Sequence, residues 1–189
     1  VTSMRMRQHA FDVPATVDVV AIDSRPEALG AGPAEYLAGV AGLMVRDRAT
    51  YAQEQQIAIR GFGARAQFGV VGLRLFADGI PATMPDGQGQ ASHFNFDSAE
   101  RIEVLRGPYS VLYGNASGGV VQLFTAAGSG AARARATLVG GSDATWRASL
   151  NLRGAAGGVG FNADFTRLRT DGELAHSRAL RDTANLRLD

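Results

Sequence analysis

Residues 145–166 limit the fold of this chain more than any other stretch. In Thr145-Trp-Arg-Ala-Ser-Leu-Asn-Leu-Arg153, Trp146, Ala148, Leu150 and Leu152 share one face of an extended chain, and Thr145, Arg147, Ser149, Asn151 and Arg153 share the other. The next segment repeats the pattern, with Val159, Phe161, Ala163 and Phe165 against Gly160, Asn162, Asp164 and Thr166. Side chains alternate across a strand, so a period of two is a strand signal. Weaker versions run through 133–139 and 183–189, and turns such as Gly140-Gly-Ser-Asp143 and Gly154-Ala-Ala-Gly-Gly158 separate the segments. Two sheets fit this pattern. One is a soluble antiparallel sheet with a wet face; the other is the wall of a transmembrane β-barrel, apolar outward and polar inward. Alternation alone leaves both open.

Geometry narrows the choice. About four strands cannot close a lipid-spanning barrel, whose smallest bacterial forms have about 8, and an open edge cannot sit in lipid. A soluble meander would need a covering layer, and nothing after Asp143 reads as a good helix. The last strand runs to Asp189 without a turn or cap. The expectation is a chain that stops inside a larger domain.

The remaining composition excludes more than it assigns. The 189 residues carry 19 basic and 18 acidic side chains, for a net charge of +1, which offers no clustered basic face for nucleic acid. Without cysteine there are no disulfides or thiolate metal sites. No run of about 18 apolar residues marks a membrane helix. Val1-Thr-Ser-Met-Arg resembles neither region of a signal peptide, so a cytosolic chain or a mature or truncated product is expected. The 24 glycines sit at turns and strand ends, as in a turn-rich β protein.

In the first two thirds, 13–22 reads as a strand, with Pro14 suited to the start of an edge strand. Residues 32–44 read as a helix, with Pro33 at the first helical position and Glu35 near its positive end. Its stripe of Tyr36, Leu37, Val40, Ala41 and Met44 is read as core packing. Residues 56–63 and 70–77 read as strands, the second closed by Asp78-Gly79. The irregular stretch 81–96 is long enough to be functional or mobile, and 126–130 reads as a short flexible linker. Between them, 100–125 reads as strand, tight turn, one helical turn, glycine turn and strand, carrying Glu100, Glu103, Arg101 and Arg106.

Several pieces, in order, resemble the plug domain of TonB-dependent outer-membrane receptors. They are Asp12-Val-Pro-Ala-Thr-Val-Asp-Val-Val20, Glu35-Tyr-Leu-Ala-Gly-Val-Ala-Gly-Leu-Met-Val45, Ile57-Ala-Ile-Arg-Gly-Phe-Gly63, Leu75-Phe-Ala-Asp-Gly-Ile-Pro81 and Arg101-Ile-Glu-Val-Leu-Arg-Gly-Pro108, completed by Tyr113-Gly114 and Gly118-Gly-Val-Val121. Ala41 stands where the family usually has a proline. The resemblance implies an α+β plug domain with a small mixed sheet, followed by antiparallel strands of an incomplete transmembrane β-barrel. The implied division is an N-terminal segment 1–8 after a missing TonB box, a plug at 9–126, a linker at 127–130 and the first strands of a barrel of about 22 strands at 131–189. The implied function is gated import of a scarce nutrient, such as a ferric siderophore or similar metal chelate, across the outer membrane of a Gram-negative bacterium. TonB and its inner-membrane motor would supply the energy, outer-membrane lipid would surround the barrel, and the N-terminus would be periplasmic. Iron would enter only as part of a chelated cargo, with no resident cofactor. The alternative is an isolated plug or fragment that only binds or signals.

Arg60 and Arg106 each end a strand before a glycine. The resemblance implies that they pair with acidic residues on the barrel's inner wall as a plug–barrel latch, with Glu100 and Glu103 in support; an ion pair within the plug is the plainer reading, since a buried arginine needs a carboxylate. Gly61, Gly79, Gly107, Gly114 and Gly119 are read as turn glycines. The 114–119 stretch lacks a P-loop lysine, and Gly61-Phe-Gly63 lacks the rest of a dinucleotide fingerprint. The resemblance makes loops 63–69 and 82–96 the ligand face, presenting Arg65, Gln67, Phe68, Met84, Asp86, Gln88, Gln90, His93 and Phe94. An arginine with amides and aromatics suits an anionic, partly flat chelate; solvated loop residues are the plainer reading. His9, His93 and His176 lack metal-ligand spacing. No nucleophile or paired-carboxylate arrangement marks an enzyme.

Overall fold

In a computed structural model of the chain, the described residues are 9, 12, 15–24, 28–46, 55–67 and 69–189. The expected segment 1–8, Pro14 and Phe68 lie outside them. The elements are β1 (Thr16–Ala21), a 3-10 turn (Ile22–Ser24), α1 (Pro33–Leu37), β2 (Leu43–Arg46), β3 (Gln56–Ile59), β4 (Val70–Val71), β5 (Leu73–Ala77), β6 (Ile80–Pro81), β7 (Gln88–Gly89), β8 (Ala99–Arg106), α2 (Ser110–Tyr113) and β9 (Gly119–Thr125), then β10 (Arg133–Gly140), β11 (Trp146–Ala156), β12 (Val159–Thr170) and β13 (Ala179–Leu188).

β1 to β9 build an α+β domain. Its main sheet has the order β1-β8-β9-β5-β6. It is mixed, because β5 runs parallel to β9 while β8 pairs antiparallel with both β1 and β9. The central strands read Ile-Glu-Val-Leu and Gly-Val-Val-Gln-Leu and are buried along most of their length, as expected of strands covered on both faces. Leu37, Ile57, Ile59, Leu73, Leu75, Ile102, Val104 and Val121 form the main core. Leu105, Val120, Phe76 and Tyr113 form a second cluster on the opposite side.

The expected helix over 32–44 is corrected. It covers only Pro33–Leu37, and the chain turns at Gly42 (φ +72°) into β2. Gly39 and Gly42 each cost a helix about 1 kcal/mol relative to alanine, while residues 43–46 gain a ladder against β3. Tyr36, Leu37 and Val40 are buried as the stripe requires, whereas Met44 is exposed. The stretch 81–96 is also less irregular than expected, because β7 pairs with β4 and Thr83 bridges to Gly89.

β10 to β13 form a separate four-stranded antiparallel meander in sequence order. β11, β12 and β13 have 11, 12 and 10 residues, the length of a tilted strand that crosses a bilayer. The polarity of its faces separates the two sheets that the alternation allowed. Leu138, Leu150, Phe165 and Leu186 are at least half exposed, while Arg147, Asn162, Asp164 and Thr166 on the other face are less than a tenth exposed. The buried face is polar and lies against the α+β domain. The exposed face is apolar, the reverse of a soluble sheet with a wet side. The connections are unequal. Gly157 and Gly158, both at positive φ, make a two-residue turn between β11 and β12 of the kind favoured in hairpins, while 141–145 and 171–178 form longer loops at the other end.

Candidate functional site at the seam between domain and meander

The buried polar face of the meander is a matrix fixed by strand register. Arg133, Arg153, Asn162 and Arg187 are successive cross-strand partners in one row; Arg135, Asn151, Asp164 and Asn185 form the next; Val139, Arg147, Leu168 and Arg181 lie further along. Facing this matrix, the domain presents residues 95–98 and the end of β9. Arg147 bonds Asp97, whose other oxygen accepts from Thr166 Oγ1 at 2.7 Å. Asn95 Nδ2 donates to Asp164 at 2.8 Å. Asn162 Nδ2 donates to the carbonyls of Ser98 and Ala126 at 2.9 and 2.8 Å, and Asn185 donates to Ser98 Oγ at 2.8 Å. Arg187 donates to the Thr125 carbonyl at 2.7 Å.

A second clasp involves the loop before α1. The Glu35 carboxylate accepts from the Ala31 amide at 2.7 Å, from Gly30 and Gly32 at 3.2 and 3.3 Å, and from Leu29. That fixes the loop so that its outward carbonyls, of Ala31 and Gly30, receive Arg181 at 2.8 and 3.1 Å. Behind it Tyr36 stacks on Phe96, centroids 4.6 Å apart. Burial, with Glu35 nearby, pushes the Tyr36 phenol up to about 12, so it stays neutral.

The expected flexible linker is pinned. Gly128 N donates to the Asp189 carboxylate at 3.2 Å, and Ala155 N donates to the Gly130 carbonyl at 2.9 Å. A Cβ at Gly128 would meet the Phe161 amide nitrogen at 2.0 Å, and one at Gly160 would meet the Gly128 carbonyl at 2.4 Å. Two glycines therefore let the chain leave the domain flat against its own wall.

The residues expected to form a latch separate into two groups. Arg60 and Arg106 converge over Gly42, where a Cβ would lie 3.6 Å from Arg60 Cγ and 3.8 Å from Arg106 Nη1. Arg106 pairs with Asp18 at 2.6 Å and donates to the Ala41 carbonyl at 2.6 Å. Glu100 and Glu103 meet a third arginine. Both contact Arg101, at 3.2 and 2.9 Å, because period two puts Arg101 and Glu103 on one face of β8, and Arg101 also covers the Phe124 ring. The ion pair found at Arg106 is thus internal to the domain. Arg60 is exposed and left-handed (φ +49°).

The expected ligand loops are brought together, since the β4–β7 ladder ties 63–69 to 82–96. Arg65, Gln67, Met84, Asp86, Gln88, Gln90 and His93 are exposed there. Phe94 is a correction: it is 3% exposed and belongs to the main core, packed edge-on to Phe96. Gly61, Gly79, Gly107, Gly114 and Gly119 all have positive φ. Among the described residues no three His, Asp or Glu side chains converge as a metal site. The sequence reading missed Asn95, Asp97, Arg147, Asn162, Asp164 and Arg187. Their one signal was the polar half of the alternation.

The comparisons with known proteins bear on this two-part arrangement. The model of the TonB-dependent receptor plug domain matches residues 9–120. The chain belongs to that family. The α+β domain is its plug, and β10–β13 are the antiparallel strands that follow it, with no closed barrel. Among curated relatives, the vitamin B12 transporter BtuB of Photobacterium profundum is 30% identical over 91% of this chain and 27% of its own length. The hemin receptor of Yersinia enterocolitica is 27% identical over 66% of this chain and 17% of its own. The chain thus spans about a quarter or less of these relatives. Among solved structures, the ferric preacinetobactin receptor BauA of Acinetobacter baumannii superposes with a TM-score of 0.77 at 18% identity, over 96% of this chain and 26% of its own. The ferric yersiniabactin uptake receptor FyuA of Yersinia pestis gives 0.70 at 21% identity, over 92% and 28%. At those identities the likeness speaks for the fold.

Proposed function

We propose that the chain is the gate and first wall strands of a receptor in the outer membrane of a Gram-negative bacterium. The receptor imports a scarce metal chelate of the ferric-siderophore kind, with energy from TonB and its inner-membrane motor. The observation that carries this reading is the inverted polarity of the meander, an apolar face exposed and a polar face buried on the plug. Such a sheet is stable where its outer solvent is lipid. The short Gly157-Gly158 turn then faces the periplasm and the longer loops face outside, the usual asymmetry of such barrels.

The cargo class rests on two supports. The relatives named above are receptors or transporters for vitamin B12, hemin and two ferric siderophores, all organic chelates around a metal. The tied loops offer Arg65, Gln67, Met84, Asp86, Gln88, Gln90 and His93 on one surface, with the charge and hydrogen bonding that an anionic chelate needs. Arg60, exposed at the end of β3, is assigned to contacts with the rest of the wall, while Arg106 is held inside the plug by Asp18. The role proposed for the tied loops is binding and passage.

The test is growth on a panel of iron sources, comparing strains with and without the full-length gene and with and without TonB. Selective, TonB-dependent loss of growth on one chelate is expected. Equal growth on every source would sink the iron reading.

A further inference from the structure

The plug does not press evenly on its wall. Against β12, β13 and Arg147 of β11 it makes the contacts described above, but beside the β10–β11 hairpin it also leaves a cleft of about 680 Å³. The wall side of that cleft carries Arg133, Arg135, Arg147 and Arg153. The plug side offers the carboxylates Asp23 and Asp97. Asp97 is occupied by Arg147 and Thr166, and Asp23 by Arg135 at 2.8 Å. Tyr36, also at the cleft, holds its proton up to about 12 and adds no negative charge.

Among the described residues, that leaves two guanidinium groups without a carboxylate partner. Arg133 and Arg153 are direct cross-strand partners on the inward face. Both are exposed to the cleft, and neither side chain makes a hydrogen bond or ion pair with the described residues. Like charges directly opposite one another destabilise a sheet. A pair of guanidinium forks on facing strands, with open volume beside them, is chemistry for an oxyanion gripped from two sides. The pair also sits at the turn end of the wall, six residues along β10 from the row of Arg147. At about 3.3 Å per residue that separation is roughly 20 Å, and Arg135 stands between. Cationic groups therefore mark three levels of the same cleft.

We propose that Arg133 and Arg153 form an anion-binding step in the cleft between plug and wall, taking an oxyanion group of the cargo as it passes the gate. The cargo half of this statement rests on the function proposed above; the anion site itself does not. Both are tested in the full-length receptor. In crystals soaked with selenate, an anomalous peak is expected within hydrogen-bond reach of both guanidinium groups, absent from the Arg133→Gln/Arg153→Gln double variant. No peak at the pair, or a peak that persists in the double variant, overturns the site. In cells, uptake of an anionic triscatecholate radio-iron chelate is compared with uptake of a neutral trihydroxamate one. If the anionic chelate is the one taken up, the double variant should import it about tenfold more slowly, the effect of losing a charge-assisted contact, while surface binding on ice stays unchanged. Intact surface binding also shows that the variant has folded. A selenate site with unchanged uptake overturns the role in passage. If neither chelate enters the wild type, the function reading fails, and the selenate result still decides the site.

Discussion

The plug and its wall strands obey the same burial rule with opposite signs. In the plug, Leu37, Ile57, Leu73 and Leu75 are fully buried and the charges lie at its margins. In the meander, Arg147, Asn162 and Asp164 are buried, while Leu150, Phe165, Leu186 and Leu188 stand exposed. Apolar surface in water is costly at about 25 cal/mol per Å², so the exposed face of the meander favours an apolar neighbour. The difference teaches that exposure has meaning only with a named solvent. In the proposed receptor, water surrounds the plug's margins, lipid the meander's outer face, and the plug itself is the solvent for the inner face.

That comparison can be broken where the two regions meet. Replacing Arg147 with methionine leaves Asp97 without its cation at a nearly dry seam, and removing one partner of a buried pair costs about 3–5 kcal/mol. The expected result in the full-length receptor is a plug released at lower denaturant, read by protease sensitivity of residues 95–98. The double replacement with Asp97→Leu should recover much of the loss. If Arg147→Met leaves protease resistance unchanged, the seam is not where the plug is held.

A paired substitution sharpens the contrast of solvents. Phe165→Arg should destabilise insertion by about 2–4 kcal/mol if the side chain faces the bilayer midplane, measured by urea-dependent folding into lipid vesicles. Thr137→Arg, on the inward face of β10 where arginines already stand, should cost much less. Equal costs at both positions would contradict the assignment of faces. The smallest effect is expected at the rim. Arg135 and Asp23 are 71% and 81% exposed, so Arg135→Gln should change stability by less than about 1 kcal/mol, below the scatter of most unfolding measurements.

Much of the fold was legible in the sequence. The alternation placed β11 and β12, the Asp78-Gly79 turn ended β5, and the plug motifs fell in order along the chain. What alternation could not supply was the sign of each face, because Trp146 and Arg147 alternate identically whether the apolar side meets a core or a membrane. Apolar spacing extends the helix over 32–44, but Gly39 and Gly42 weaken it and the β3 partner takes residues 43–46 into a strand. The polar character of 81–96 suggests a loop side chain at Phe94, yet its ring closes the core beside Phe96. The seam was the least legible part. Asn95, Asp97 and Ser98 form an ordinary polar stretch until the register of β12 and β13 brings Asn162, Asp164, Thr166 and Asn185 opposite them.

The proposed gate and wall require the apolar face of the meander to meet lipid. Spin labels placed singly at Phe165, Leu186 and Ser149 of the full-length receptor in outer membranes test this most directly. Labels at Phe165 and Leu186 should be relaxed by oxygen dissolved in the bilayer and be protected from a water-soluble nickel reagent, while the label at Ser149 is reached weakly by both. Strong access of the nickel reagent to Phe165 and Leu186 would contradict the account.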